Sequence, residues 1–137
     1  MAAAGGSVYL ATINVPFTEP AMSSVNGGGA AGAKPSGDIE ALSLATGKVE
    51  WDTKVPMLPL GAATVSNDLV FTTLYNGELI ALNRSTGAIV YRKVLPDSTN
   101  SPIAVAGNTV LVPAGGPATS AKGGSGSPQL VAYTVPQ

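Results

Sequence analysis

Ala41-Leu-Ser-Leu-Ala-Thr-Gly-Lys-Val-Glu-Trp51 returns at an offset of 40 as Ala81-Leu-Asn-Arg-Ser-Thr-Gly-Ala-Ile-Val-Tyr91. Ala-Leu, Thr-Gly and a terminal large ring keep their places. A second stretch obeys the same offset of 40: Gly61-Ala-Ala-Thr-Val-Ser-Asn-Asp-Leu-Val-Phe71 aligns with Ser101-Pro-Ile-Ala-Val-Ala-Gly-Asn-Thr-Val-Leu111. Such a repeat marks one supersecondary unit that cannot bury its apolar surface alone and must stack on a neighbour. The repeated pieces are short β-prone runs separated by Gly, Asn, Asp and Ser, so the unit is built of strands and turns.

One whole unit reads directly. Strand a covers 62–66 and turns at Asn67-Asp68; strand b covers 69–74. Asn76-Gly77 is a strong hairpin signal, followed by strand c at 79–83. Ser85-Thr86-Gly87 turns the chain into strand d at 88–95. Strands a to c are near-continuous apolar runs, as expected of strands covered on both faces. Upstream, 8–14 resembles strand b, 39–44 strand c and 48–55 strand d, with no strand a ahead of them. Downstream, 103–106 is strand a, 109–112 strand b and 130–135 strand c, with no strand d.

The expected fold is all-β: a partial β-propeller of four-stranded antiparallel blades in one domain over 1–137. It comprises an incomplete blade at 8–55, a complete one at 62–95 and an incomplete one at 101–136, about two and a half blades in all. Rings of this kind close with ~4–8 blades, so the chain alone does not close one. Insertions at 16–37 and 113–128, rich in Gly, Ala and Ser, read as flexible. Every a–b and c–d turn is short, and both insertions fall in b–c connections. The b–c and d–a connections share one end of an antiparallel blade, so variation concentrates there, on loops held by a rigid scaffold.

Composition narrows the chemistry. Seven Lys+Arg against eight Asp+Glu leave a net charge of −1, too few clustered cations for an ordinary nucleic-acid surface. The chain has no His and no Cys, which removes a His general base, a Cys nucleophile and a Cys/His zinc site. No run approaches the ~18 apolar residues of a membrane span. The start, Met1-Ala-Ala-Ala-Gly-Gly6, does not have the pattern of a signal peptide. Gly27-Gly-Gly-Ala-Ala-Gly32 lacks both the strand–turn–helix context and the Gly-Lys-Ser/Thr ending of a phosphate loop. Asp38, Glu40, Glu50 and Asp52 flank one c–d hairpin. Glu40/Glu50 and Asp38/Asp52 are expected to oppose each other there, a mildly unfavourable arrangement eased by Lys48 and Lys54. These read as a solvated edge, with no metal ligand among them.

The repeat itself resembles a known family. Ala41, Thr46, Gly47 and Trp51, and again Ala81, Thr86, Gly87 and Tyr91, resemble the tryptophan-docking motif of quinoprotein alcohol dehydrogenase-like propellers. That motif runs roughly A-x-D-x-x-T-G-x-x-x-W. Ser43 and Asn83 stand at its Asp position, and Tyr91 replaces the ring of Trp. The tail from Ser101 to Pro136 resembles the last blade of such enzymes, so the resemblance implies a C-terminal portion. It also implies a complete parent that oxidises an alcohol or sugar with pyrroloquinoline quinone and Ca²⁺, working in the periplasm or outside the cell. No cofactor is expected for this chain alone, and no catalytic residue is assigned. Asp97 and Asn100, on a d–a connection, are the residues the resemblance places at the channel mouth; the residues alone also fit an ordinary Pro-Asp-Ser-Thr-Asn turn. The other class the resemblance allows is a non-catalytic scaffold for protein–protein binding or assembly. Trp51 is expected to be mostly buried between adjacent sheets. Open strand edges are expected at 8–14 and at 130–135, to be completed by further copies or by another chain carrying the missing blades.

Overall fold

The computed structural model describes residues 1–14, 34–115 and 128–134. Among them there is no helix, and eleven strands form three antiparallel sheets that do not close a ring. The first sheet runs β1 (Ala2–Ala4), β2 (Ser7–Asn14), β3 (Ser36–Ser43) and β4 (Val49–Val55), hydrogen-bonded in that order. The second runs β5 (Thr64–Ser66), β6 (Leu69–Leu74), β7 (Glu78–Asn83) and β8 (Ile89–Val94). The third has β9 (Ala104–Ala106), β10 (Thr109–Ala114) and β11 (Gln129–Thr134), in the order β11-β10-β9. The molecule is therefore an all-β partial propeller.

One expectation needs correction at the start. The first sheet has its strand a: Ala2, Ala3 and Ala4 pair with Tyr9, Val8 and Ser7. Gly5 and Gly6, at φ 58° and 85°, form the two-residue loop between them, a conformation open to glycine at little cost. The inner edge of β2 is thus paired. At the other end, β11 has no strand beside its outer edge among the described residues. The insertions are also shorter than expected, since Ser36 and Gly37 belong to β3 and Pro113 and Ala114 to β10; nearly all the rest of both lies outside the described residues.

Turn chemistry builds the hairpins. Asn67, at φ 50°, and Gly107, at φ 55°, open equivalent two-residue a–b loops. At the c–d turn, Asn83 Oδ1 accepts from the N–H groups of Ser85 and Thr86 at 3.0 and 3.1 Å. Gly87 then donates its N–H to the Asn83 carbonyl at 2.9 Å, with φ 71°. Gly47 does the same for Ser43 at 2.8 Å. Both units carry a register shift at the same place, after Ala41 and after Ala81, so the repeat extends to its β-bulges. That shift, with a turn that closes at Leu42 opposite Val49, puts the carboxylates two residues from the expected pairs. Glu40 opposes Asp52, Asp38 opposes Lys54, and Glu50 falls in the bulge and accepts from Ser7 Oγ at 2.6 Å.

Two apolar cores join the three sheets. Tyr9, Ile39, Ala41 and Val55 of the first meet Val70, Leu74, Ile80 and Leu82 of the second. Leu79, Leu95 and Phe71 meet Ile103, Val110, Val112, Val131 and Tyr133 of the third. Each fully buried large side chain among them, such as Ile39, Leu74, Ile80 or Val112, contributes about 1.5–3 kcal/mol. Burial and the charge Tyr91 would carry nearby push the Tyr133 phenol above its ordinary pKa.

The first two sheets are also linked by one ring. Trp51 Nε1 donates to the Arg84 carbonyl at 2.9 Å, and Thr53 Oγ1 donates to the Gly87 carbonyl at 2.7 Å. The indole lies so close to Gly87 that a Cβ there would sit 2.6 Å from Trp51 Cε3. Tyr9 flanks the ring at a centroid distance of 5.9 Å. Trp51 is half-buried rather than mostly buried, because β4 is the outermost strand and leaves one edge of the ring in water. Trp51→Phe should cost about 0.5–1.5 kcal/mol by losing the indole N–H bond. Trp51→Ala should cost about 3 kcal/mol, the low end for a large aromatic, since burial is incomplete. Denaturant melts check both. Emission from this single tryptophan that is already water-like in the native protein would contradict the packing.

Candidate functional site

The two ends of the sheet stack differ. At the a–b and c–d end, short turns bond to one another: Leu44 N–H to the Gly6 carbonyl and Arg84 N–H to the Asp68 carbonyl, at 2.9 and 2.8 Å. At the other end, longer connections cross from sheet to sheet. Tyr75 N–H donates to the Leu58 carbonyl at 2.8 Å, and Gly115 N–H to the Ser98 carbonyl at 3.0 Å. This second end carries the candidate residues.

Asp97, Ser98 and Thr99 are only 1%, 0% and 2% exposed. They lie in the connection from β8 to β9, pressed against the loop from β6 to β7. A Cβ on Gly77, whose φ is 81°, would approach the Asp97 carbonyl oxygen to 2.7 Å. Leu95 N–H donates to the Gly77 carbonyl at 2.7 Å and fixes the start of the connection. Asp97 Oδ1 accepts from the Ser98 N–H at 2.7 Å, and Thr99 Oγ1 accepts from the Ser101 N–H at 3.2 Å. Buried polar groups of a loop are paired in this way because unpaired ones cost free energy.

Asn100, in contrast, is exposed and opens onto a cleft of about 220 Å³. Thr99, Asn100 and Ser101 form one wall, and Pro113–Gly115 with Pro128 and Gln129 form the other. The structure therefore separates the two channel-mouth candidates. Asn100 lines the cleft and Asp97 is tucked beneath it. Sequence reasoning missed that burial, although a signal existed. At the offset of 40, Met57 and Pro59 of the preceding connection correspond to Asp97 and Thr99. Polar residues thus replace apolar ones at buried positions of the repeat.

These residues do not form a cradle for pyrroloquinoline quinone by themselves. The quinone carries three carboxylates, yet among the described residues the cleft lining includes no charged side chain. A Ca²⁺ ion wants several converging oxygens. Among the described residues no three His, Cys, Asp or Glu side chains are grouped to hold a metal. The residues that resemble the docking motif lie toward the opposite end. Ala41 pairs with Trp51 and Ala81 with Tyr91, while Thr46 and Thr86 sit in the c–d turns with Gly47 and Gly87. Tyr91 is 46% exposed and has no counterpart of the Trp51–Arg84 bond among the described hydrogen bonds.

Fold and repeat define the class first: a propeller built of repeated four-stranded blades with a ring at strand d. A family model described as outer membrane protein assembly factor BamB, a PQQ-repeat family, matches residues 35–133, and the chain belongs to that family. A curated relative, the polyvinylalcohol dehydrogenase of a Pseudomonas species, is 35% identical over 85 residues; these make up 62% of this chain and 13% of that protein. A europium-containing methanol dehydrogenase shares the fold, with a TM-score of 0.50 at 18% identity over 60% of this chain and 18% of that one. BamB from Moraxella catarrhalis gives a TM-score of 0.49 at 24% identity over 58% of this chain and 26% of that one. The chain thus spans a small part of the relatives it matches. No helix among the described residues is long and apolar enough to cross a membrane.

The contact between Gly77 and the buried connection gives a prediction. Gly77→Ala should destabilise by more than about 1 kcal/mol, because alanine disfavours this φ and its Cβ meets backbone. Amide exchange should quicken across 97–101. An unchanged denaturation midpoint and unchanged exchange there would refute the packing.

Proposed function

We propose that the chain is a portion of the propeller of a pyrroloquinoline quinone-dependent dehydrogenase acting on an alcohol or sugar. Its own contribution is blades rather than redox chemistry. The observation that carries this reading is the 35% identity to polyvinylalcohol dehydrogenase over 85 residues. In this reading Ala41, Thr46, Gly47 and Trp51, with Ala81, Thr86, Gly87 and Tyr91, act as docking motifs that lock blade to blade. The Trp51 bond to the Arg84 carbonyl supports that role. Asp97 and Asn100 belong to the channel mouth of the complete ring, with quinone and Ca²⁺ held by residues drawn from many blades.

A second reading has its own support. The matching family model is described as an assembly factor and covers residues 35–133, a longer stretch than the dehydrogenase match. Propellers of that kind serve as scaffolds that bind partners through loops or strand edges. A chimera separates the two. The 85 matched residues are placed in the polyvinylalcohol dehydrogenase in exchange for their counterparts. Retained dye-linked turnover is expected for the dehydrogenase reading, and a folded but inactive chimera would favour the scaffold.

The 137-residue chain alone should show no dye-linked turnover with added quinone and Ca²⁺ above the cofactor-only control. Turnover lost on Asp97→Ala or Asn100→Ala would overturn the view that it supplies blades only.

A further inference from the structure

Equivalent faces of the first two sheets carry different charge. In the second sheet Val70, Ile80 and Leu82 are fully buried against the first. At the offset of 40 the counterparts of Ile80 and Leu82 are Glu40 and Leu42. Val8 completes the match, since it pairs with Leu42 as Val70 pairs with Leu82. Side chains alternate along a strand, so these residues lie on the face of the first sheet opposite Tyr9, Ile39 and Ala41. No described sheet covers that face, and all three are half-buried.

The first sheet nevertheless carries the second sheet's means of receiving a neighbour. Its c–d turn is built alike. Ser43 N–H donates to the Lys48 carbonyl at 2.9 Å as Asn83 N–H does to Ala88 at 2.8 Å, and Gly47 and Gly87 both take positive φ. A Cβ on Gly87 would meet the Trp51 ring at 2.6 Å, whereas one on Gly47 would meet no described atom within 4 Å. Leu44 and Val49 beside that open turn are 62% and 56% exposed. Ile89, the counterpart of Val49, is packed on the core between the sheets.

Charge is where the two faces part. Toward the first sheet the second presents Glu78 and Arg92, which pair at 2.7 Å and cancel. The first presents Asp38, Glu40 and Asp52 against Lys54 alone. Lys54 Nζ lies 3.4 Å from Asp38 and 3.9 Å from Asp52. Glu40 has no ion pair or hydrogen bond among the described residues, and its cross-strand neighbour is Asp52.

We propose that Glu40 is one half of an ion pair between blades: the sheet that packs on this face in the complete protein presents a lysine or arginine to it. This rests on the reading of the chain as a portion of a larger propeller. A sheet that covered Glu40 without a cation would bury an unpaired carboxylate, which is strongly unfavourable. The pair therefore selects which blade lies next to the first sheet, because a neutral neighbour is penalised. The repeat has a place for such a cation. Lys93 stands in the second sheet where the first has Thr53, on the face toward the third sheet.

Melting of variants in the complete protein and in the 137-residue chain tests the pairing. In the complete protein Glu40→Ile should lower the melting temperature by at least about 2 °C, because it strands the cation. In the 137-residue chain the same change should not lower it. One Lys→Met or Arg→Met change in the adjoining sheet should destabilise the wild-type protein but not the Glu40→Ile variant. A complete protein that melts higher with Glu40→Ile, an equal loss in protein and chain, or the lack of any coupled cation would each overturn the pairing. Hydroxyl-radical footprinting of Leu42 and Leu44 checks the underlying reading separately. Both should be protected in the complete protein relative to the chain; equal exposure would show that no sheet lies there and overturn that reading with the pairing. Should Glu40→Ile fail to fold, Glu40→Gln replaces it, with the same signs expected.

Discussion

A four-stranded sheet that is apolar on both faces cannot stand alone in water, and the contact that settles how the next sheet lies on it is the ring of Trp51. The indole rests on the backbone of the Gly87 turn and donates to the Arg84 carbonyl, while Thr53 donates to Gly87 itself. Apolar packing alone is non-directional. Two directional bonds from one strand to one turn remove the freedom to slide. The turn can receive them because its own groups are already arranged by Asn83 and by the positive φ of Gly87. The local turn signal and the long-range packing are therefore one device. Tyr91 shows the converse. It holds the same position in the second sheet, and without such a platform among the described residues its ring stays 46% exposed.

Much of this was legible in the sequence, and the reason is specific. The second sheet came out with its turns at Asn67-Asp68, Asn76-Gly77 and Thr86-Gly87 because each needs a residue that tolerates an unusual backbone, and such residues punctuate a repeat. β1 was not legible. Ala2-Ala-Ala4 has neither β-branching nor alternation, and only the Gly5-Gly6 loop marks it as half of a hairpin. The expected carboxylate pairs lay two residues from the observed register: the bulge after Ala41 accounts for one, and the c–d turn, which closes with Leu42 opposite Val49 rather than Lys48, for the other. The family motif was legible from Thr-Gly and Trp51, but half-burial of the ring depends on β4 being outermost, which is a tertiary fact.

The candidate site was legible by position and not by environment. The 97–101 connection was placed at the loop-bearing end from topology alone. Nothing in Pro96-Asp-Ser-Thr-Asn100 by itself says that Asp97 is covered and Asn100 is not. That distinction comes from Gly77, which lets the preceding loop close over the Asp97 backbone. Comparison within the repeat carries more information than the turn residues do, since Met57 and Pro59 occupy the matching places. A buried carboxylate set where the neighbouring unit has a half-buried thioether packed on the core departs from what packing alone would select.

The same internal comparison explains where charge is allowed. Only 11% of the chain is charged, and the inner strands of the second sheet carry almost none: Leu69–Leu74 has no charged residue and Glu78–Asn83 has one, at its end. A sheet covered on both sides leaves its inner strands no solvated face on which a charge can sit cheaply. Charges move to the outer strands, as with Lys54, Arg92 and Lys93, or to the loops. Asp38 repeats the position of Glu78, but Glu40 breaks the rule inside β3, and both lie on the one face of the first sheet that no described sheet covers. Asp38 is met there by Asn14 Nδ2 at 2.5 Å and by Lys54 at 3.4 Å. Glu40 opposes Asp52 instead, a like-charge pair tolerable in water and unfavourable once desolvated. Asp38 has its counterpart in Glu78 at the offset of 40, whereas Glu40 stands where the second sheet has Ile80, so of the two only Glu40 sets this face apart from its equivalent in the same repeat.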